Sequence, residues 1–149
     1  MLIAAVNIGG IRRTRDVLSV FFMNLKLAAL LGLIGLTRPI LSIAGAYDSG
    51  ALAKPVGPLV LTALISIAWV AAAVLDRRHH PIYTLTGAGV AYALFAILLN
   101  WSLQPFLASA EAIPLPGYLA MPIFNALQGA VLGVIAYGLQ RLTSRRAAR

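Results

Sequence analysis

Two apolar runs, residues 58–75 and 82–101, flank the polar hexapeptide Asp76-Arg77-Arg78-His79-His80-Pro81. Each run is close to the ~20 residues a helix needs to cross the hydrocarbon core of a bilayer. In lipid every backbone N–H and C=O must find its partner within the segment, so the runs are predicted to be helices. A turn this short then makes them an antiparallel hairpin with a charged end. Composition points the same way. Apolar residues make up 60 % of the 149-residue chain and charged residues 11 %, against ~45–50 % and ~25 % in soluble domains. A soluble fold of this size has no means of hiding that much apolar surface.

The rest of the chain is placed from this hairpin. A first span is expected over residues 17–43 and a fourth over 118–139, with turn-former-rich loops at 44–57 and 102–117 and a basic tail at 140–149. Proline opens the second span at Pro58, where its missing N–H costs nothing. The first span carries Lys26 and Arg38. A lysine at a helix centre costs ~2.5–3.5 kcal/mol, and each Leu, Ile, Phe or Val returns ~0.3–0.6. Residues 17–36 hold twelve of these, worth roughly 4–7 kcal/mol, so insertion wins. Centring the span near Gly32 puts both cations about 9 Å from the midplane, within snorkelling reach of opposite headgroup layers. Residues 1–16, an apolar strip ending in Arg12, Arg13 and Arg15, suit an interfacial segment. Their order, apolar before basic, is the reverse of a secretory signal.

With four spans, both termini and the 76–81 turn share one side. That side holds nine Lys and Arg and the other side two, Arg38 and Lys54. The positive-inside bias makes the nine-cation side cytoplasmic. The expected fold is an all-α integral membrane protein: one compact four-helix bundle of two helical hairpins, with both termini cytoplasmic, in a plasma or inner membrane. The net charge of +8 is then matched to anionic headgroups rather than to nucleic acid.

Small residues recur at spacings of three and four in the last two spans. The third has Thr86, Gly89, Ala93, Ala96 and Asn100; the fourth has Ala126, Gly129, Gly133, Ala136 and Gln140. Such a period keeps one stripe facing a neighbouring helix, and small side chains on it let backbones approach closely. The stripe serves either packing within the protomer or a dimer face at Gly129-x-x-x-Gly133. Close-packed seams leave little room for a wide aqueous pore within one protomer, so a pore would be expected between protomers.

Few residues suggest chemistry. Lys26 and Arg38 are candidate contacts for an anion or lipid headgroup, because ionisable groups in a span are functional candidates by default. Asn125 and Gln128 are candidate polar steps, expected to bond to neighbouring helices. Arg77, Arg78, His79 and His80 form a lipid-facing cytoplasmic turn. Two adjacent histidines and Asp76 are too few for a closed zinc site, so neither metal nor cofactor is expected. The chain has no cysteine, no nucleophile elbow and no His-Glu-x-x-His motif. No Asp or Glu falls within a span, which disfavours proton-coupled export of cations. The expectation is a non-catalytic subunit or accessory protein of a membrane complex, or else an oligomeric channel or transporter for a small anion or apolar solute. The partners are the bilayer and either further copies or a larger complex.

Overall fold

The computed structural model describes residues 25–106 and 114–147. Residues 1–24, with the interfacial strip and the first third of the expected first span, lie outside the described residues. The described chain is an all-α, four-span membrane bundle: α1 (Leu25–Ile43), α2 (Val56–Leu75), α3 (Pro81–Leu103) and α4 (Leu115–Ala147). A short 3-10 turn, Gly50–Leu52, interrupts the α1–α2 loop. The end carrying residues 76–80 is called the turn side below, and the opposite end the loop side.

Local chemistry explains the helix limits. The 20 residues of α2 span about 30 Å at 1.5 Å per residue, one hydrocarbon thickness. Proline at the start of α3 costs no hydrogen bond there, and it forces His80 into an extended conformation (φ −76°, ψ 117°) that ends the turn. Pro39 cannot donate to the Gly35 carbonyl, and its ring crowds that carbonyl. α1 therefore breaks at Leu36, whose N–H bonds to the Leu33 carbonyl at 3.0 Å, and Thr37 Oγ1 donates to the Ile34 carbonyl at 2.7 Å. The break sets the direction of the segment Thr37–Ile43, which carries Arg38.

The expected tail at 140–149 is not a tail over its described part: α4 continues through Arg141 and Arg145 to Ala147. No proline or glycine follows Gly138, and arginine is a good helix former. Cations near a helix C-terminus also complement the macrodipole. Thr143 Oγ1 and Ser144 Oγ bond back to the carbonyl of Gln140 at 3.0 and 2.9 Å.

α3 is the axis of the bundle. Against α4 it packs by backbone contact: Gly89 meets the Asn125 carbonyl, Gly129 the Leu85 carbonyl, and Gly133 the Ile82 Cα. These partner numbers sum to 214, 214 and 215, the signature of one antiparallel register held over two turns. On its other face α3 receives α1, whose Gly32 and Gly35 lie against Tyr92. The core cluster of Ala28, Leu31, Trp69, Ala73, Leu85, Ala88 and Ala136 fills the turn-side half between all four helices.

α2 is tied to the rest at the same end. Trp69 Nε1 donates to the Leu31 carbonyl at 3.0 Å, and Gln140 Nε2 donates to the carbonyls of Ala73 and Asp76 at 2.8 and 3.2 Å. Interhelical bonds of this kind average ~0.6 kcal/mol each. Gln140→Leu is therefore expected to cost about 1 kcal/mol and to lower the thermal midpoint in detergent by a few degrees without loss of fold. Size exclusion after a temperature series measures it.

Candidate functional site

The loop side is built differently from the packed turn side. Beyond the break in α1, Arg38 lies five residues inside the helix end at Ile43. Its carbonyl accepts the Tyr47 hydroxyl at 3.4 Å, and Tyr47 is itself only 3 % exposed. The 44–55 loop thus folds back over the end of α1 rather than standing away from it. Gly57 allows this: a Cβ there would lie 2.0 Å from the Leu52 carbonyl oxygen. Arg38 and Tyr92 line the same wall beyond the break. Tyr92 sits midway along α3, eleven residues from either end, with its ring against Gly35.

Arg38 and Tyr92 head two adjoining recesses. The outer one, about 320 Å³, is lined by Arg38, Pro39, Ser42, Tyr47, Lys54, Pro58 and Tyr92. The inner one holds only about 30 Å³, close to the volume of one water. It is bounded by Gly35, Arg38, Thr62, Ile65, Ser66, Trp69, Tyr92 and Gln128. The two, together called the cleft below, share Arg38 and Tyr92, and the inner one ends on Trp69, which belongs to the core cluster.

Two cations face the outer recess. Lys54 has Asp48 at 4.0 Å, with both side chains more than half exposed, a pairing worth about 0–1 kcal/mol. Among the described residues no carboxylate pairs with Arg38. The cleft therefore carries an excess of positive charge at the edge of a low-dielectric slab.

Of the four polar intramembrane candidates, the structure brings two together, Arg38 and Gln128. Lys26 is exposed in the first described turn of α1, toward the opposite end of the bundle. Asn125 does not reach a neighbouring helix: its Nδ2 donates to the Met121 carbonyl of its own helix at 2.8 Å. The close approach of α3 at Gly89 meets the Asn125 backbone instead. Of the seam residues, Gly89, Ala93, Ala96, Gly129, Gly133 and Ala136 are all buried.

At the turn, Arg77, Arg78 and His80 are exposed, but His79 is folded inward. Its Nδ1 lies 2.5 Å from Asp76 Oδ2, and the other carboxylate oxygen accepts the Arg78 N–H at 3.2 Å. A short Asp-initiated turn supplies the acceptor that draws the ring in. His80 stacks on Tyr137 at 5.1 Å, and Arg141 lies 4.6 Å over the same ring. The turn is thereby clamped to α4. Among the described residues no group of three metal-ligating side chains is found.

No match is found. Neither protein-family models, curated proteins nor solved structures resemble the chain at a significant level, so the fold and the cleft carry the functional argument alone. Tyr92 is the site residue that sequence reasoning missed. A tyrosine at the centre of a span, away from the interfacial belt where such rings collect, was the available signal.

Proposed function

We propose that this four-span protein is a non-catalytic subunit or accessory protein of a larger membrane assembly. The observation that carries the reading is Gln128. It is exposed at mid-depth on α4, and among the described residues its amide has no hydrogen-bond partner. Gln128 also borders the inner recess. An amide at this depth is costly unless it is hydrogen-bonded, and a polar side chain on a neighbouring transmembrane helix would supply the bond. The turn-side half supports the same reading, because buried apolar side chains from all four helices fill it. Four carboxylates, no cysteine and two histidines in one turn favour a binding role over a catalytic one. In this reading the nine-cation side faces anionic cytoplasmic headgroups of the plasma membrane.

A second reading, an oligomeric channel or transporter for a small anion or apolar solute, draws on the cationic cleft. A pore would then lie between protomers. Extraction from the native membrane in polymer nanodiscs, followed by mass spectrometry, separates the two. A stoichiometric partner is expected, and Gln128→Leu is expected to reduce its recovery several-fold. A homo-oligomer would favour the channel, and a lone protomer would sink both assembly readings.

A further inference from the structure

The cleft on the loop side has chemistry of its own, independent of any partner helix. Arg38 holds a permanent charge one to two turns inside a span, with a phenol as its polar neighbour. A guanidinium in that position is stabilised most by an anion that takes its fork of donors two at a time, as phosphate and carboxylate oxygens do. Lys54 supplies a second, movable cation from the facing loop, since its contact with Asp48 is long and exposed. Ser42 and Tyr92 add hydroxyls to the same wall. Two cations suit an anion of more than one charge, which points to phosphate rather than to a single carboxylate.

Volume restricts the ligand further. The outer recess, about 320 Å³, takes a phosphate with a small substituent. The inner recess, about 30 Å³, admits a water but not an alkyl chain. Any hydrocarbon tail attached to the phosphate would have to remain outside, along the bundle surface.

We propose that the Arg38–Lys54 cleft is a binding site for a phosphate group, entered from the loop side, with Arg38 as the fork and Lys54 as the closing charge. The group belongs either to a free phosphate or to a lipid headgroup, and the test distinguishes them.

Trp69 borders the inner recess beside Tyr92, and the chain has only one other tryptophan, Trp101. A Trp101→Phe background therefore makes Trp69 emission a local reporter. The protein is reconstituted in phosphatidylcholine nanodiscs and titrated with inorganic phosphate in one arm. In the other arm the nanodiscs contain graded phosphatidic acid. A saturable change is expected in at least one arm. Saturation by inorganic phosphate assigns a free anion, and saturation by phosphatidic acid alone assigns a headgroup.

In the responding arm Arg38→Gln should weaken binding roughly tenfold or more, the loss expected of a charge-assisted hydrogen bond. Arg38→Lys, which keeps charge but loses the fork, should fall between. Lys54→Gln lies on an exposed loop, leaves the helices untouched, and should weaken binding several-fold. No saturable change in either arm overturns the proposal. So does an Arg38→Gln titration that matches the parent. If Arg38→Gln does not run as a folded species on size exclusion, Lys54→Gln decides, and unchanged binding there overturns the proposal equally.

Discussion

Gly129→Ala is expected to abolish the folded protomer, not to free it from a dimer. The added Cβ would sit 2.1 Å from the Leu85 carbonyl oxygen and 2.7 Å from its carbon. Ordinary C···O contacts begin near 3.3 Å, so the overlap exceeds 1 Å, and the atoms it strikes are backbone. No rotamer change relieves it. α3 and α4 must separate, and separation weakens the whole seam, because Gly89 and Gly133 hold the same close approach on either side. Overpacking against movable side chains typically costs about 1–3 kcal/mol; against a rigid helix backbone the upper end or beyond is expected. The monodisperse peak on size exclusion should disappear into aggregate. Gly138→Ala is the control, since a Cβ there meets nothing within 4 Å. It should be neutral or gain up to about 1 kcal/mol of helix propensity. A folded monomer from Gly129→Ala at normal yield would place the seam on the protomer's exterior and contradict this packing.

That seam was legible in the sequence because lipid makes it so. With no hydrophobic drive between helices, close approach requires small residues at a fixed period, and the period shows in one dimension. The spans were legible for a related reason: unsatisfied backbone is forbidden in hydrocarbon, so apolar length translates directly into helix. What failed to show depends on the angle between elements.

Lys26 and Arg38 stand symmetrically about Gly32 when residues are counted. The Pro39 break and the Tyr47 loop build a recess around Arg38 at one end of α1, whereas Lys26 stays exposed at the other. Asn125 was expected to bond across helices, but its own i−4 carbonyl was nearer. His79, expected to face lipid, turns inward to Asp76, a local pairing that the basic character of the turn does not reveal. The basic run after Gln140 read as a tail because charge marks the membrane boundary, yet charge says nothing about where a helix stops.

Trp69→Ala is the second large effect expected, and it tests how the two halves of the bundle are separated. Trp69 is 4 % exposed, and its indole N–H makes the one side-chain hydrogen bond found between α1 and α2 among the described residues. Beneath it lie alanines (Ala28, Ala73, Ala88 and Ala136) too short to close over a missing indole. Trp→Ala in a soluble core costs ~3–5 kcal/mol, part of it transfer from water and part the cavity. In lipid the transfer part falls away, because the surroundings are as apolar as the core. A residual void of roughly 100 Å³ at ~24 cal/mol per Å³ still costs about 2.4 kcal/mol, and the lost interhelical bond adds about 0.6 kcal/mol.

Trp69→Phe keeps most of the volume and loses only the bond, so it should cost well under half as much. Unfolding followed by helical circular dichroism in mixed detergent should rank the parent first, Trp69→Phe slightly below it, and Trp69→Ala far below. Equal losses from the two variants would assign the effect to the hydrogen bond. Trp69 is also the floor of the inner recess. Its truncation should therefore let the loop-side cleft deepen into the turn-side half, and a cysteine placed at Ala73 should become reactive to a small water-soluble thiol reagent only in that variant. A protein with wild-type stability and an unreactive cysteine at Ala73 would mean that α1 and α2 close over the gap unaided, and that something other than this indole keeps the cleft shallow.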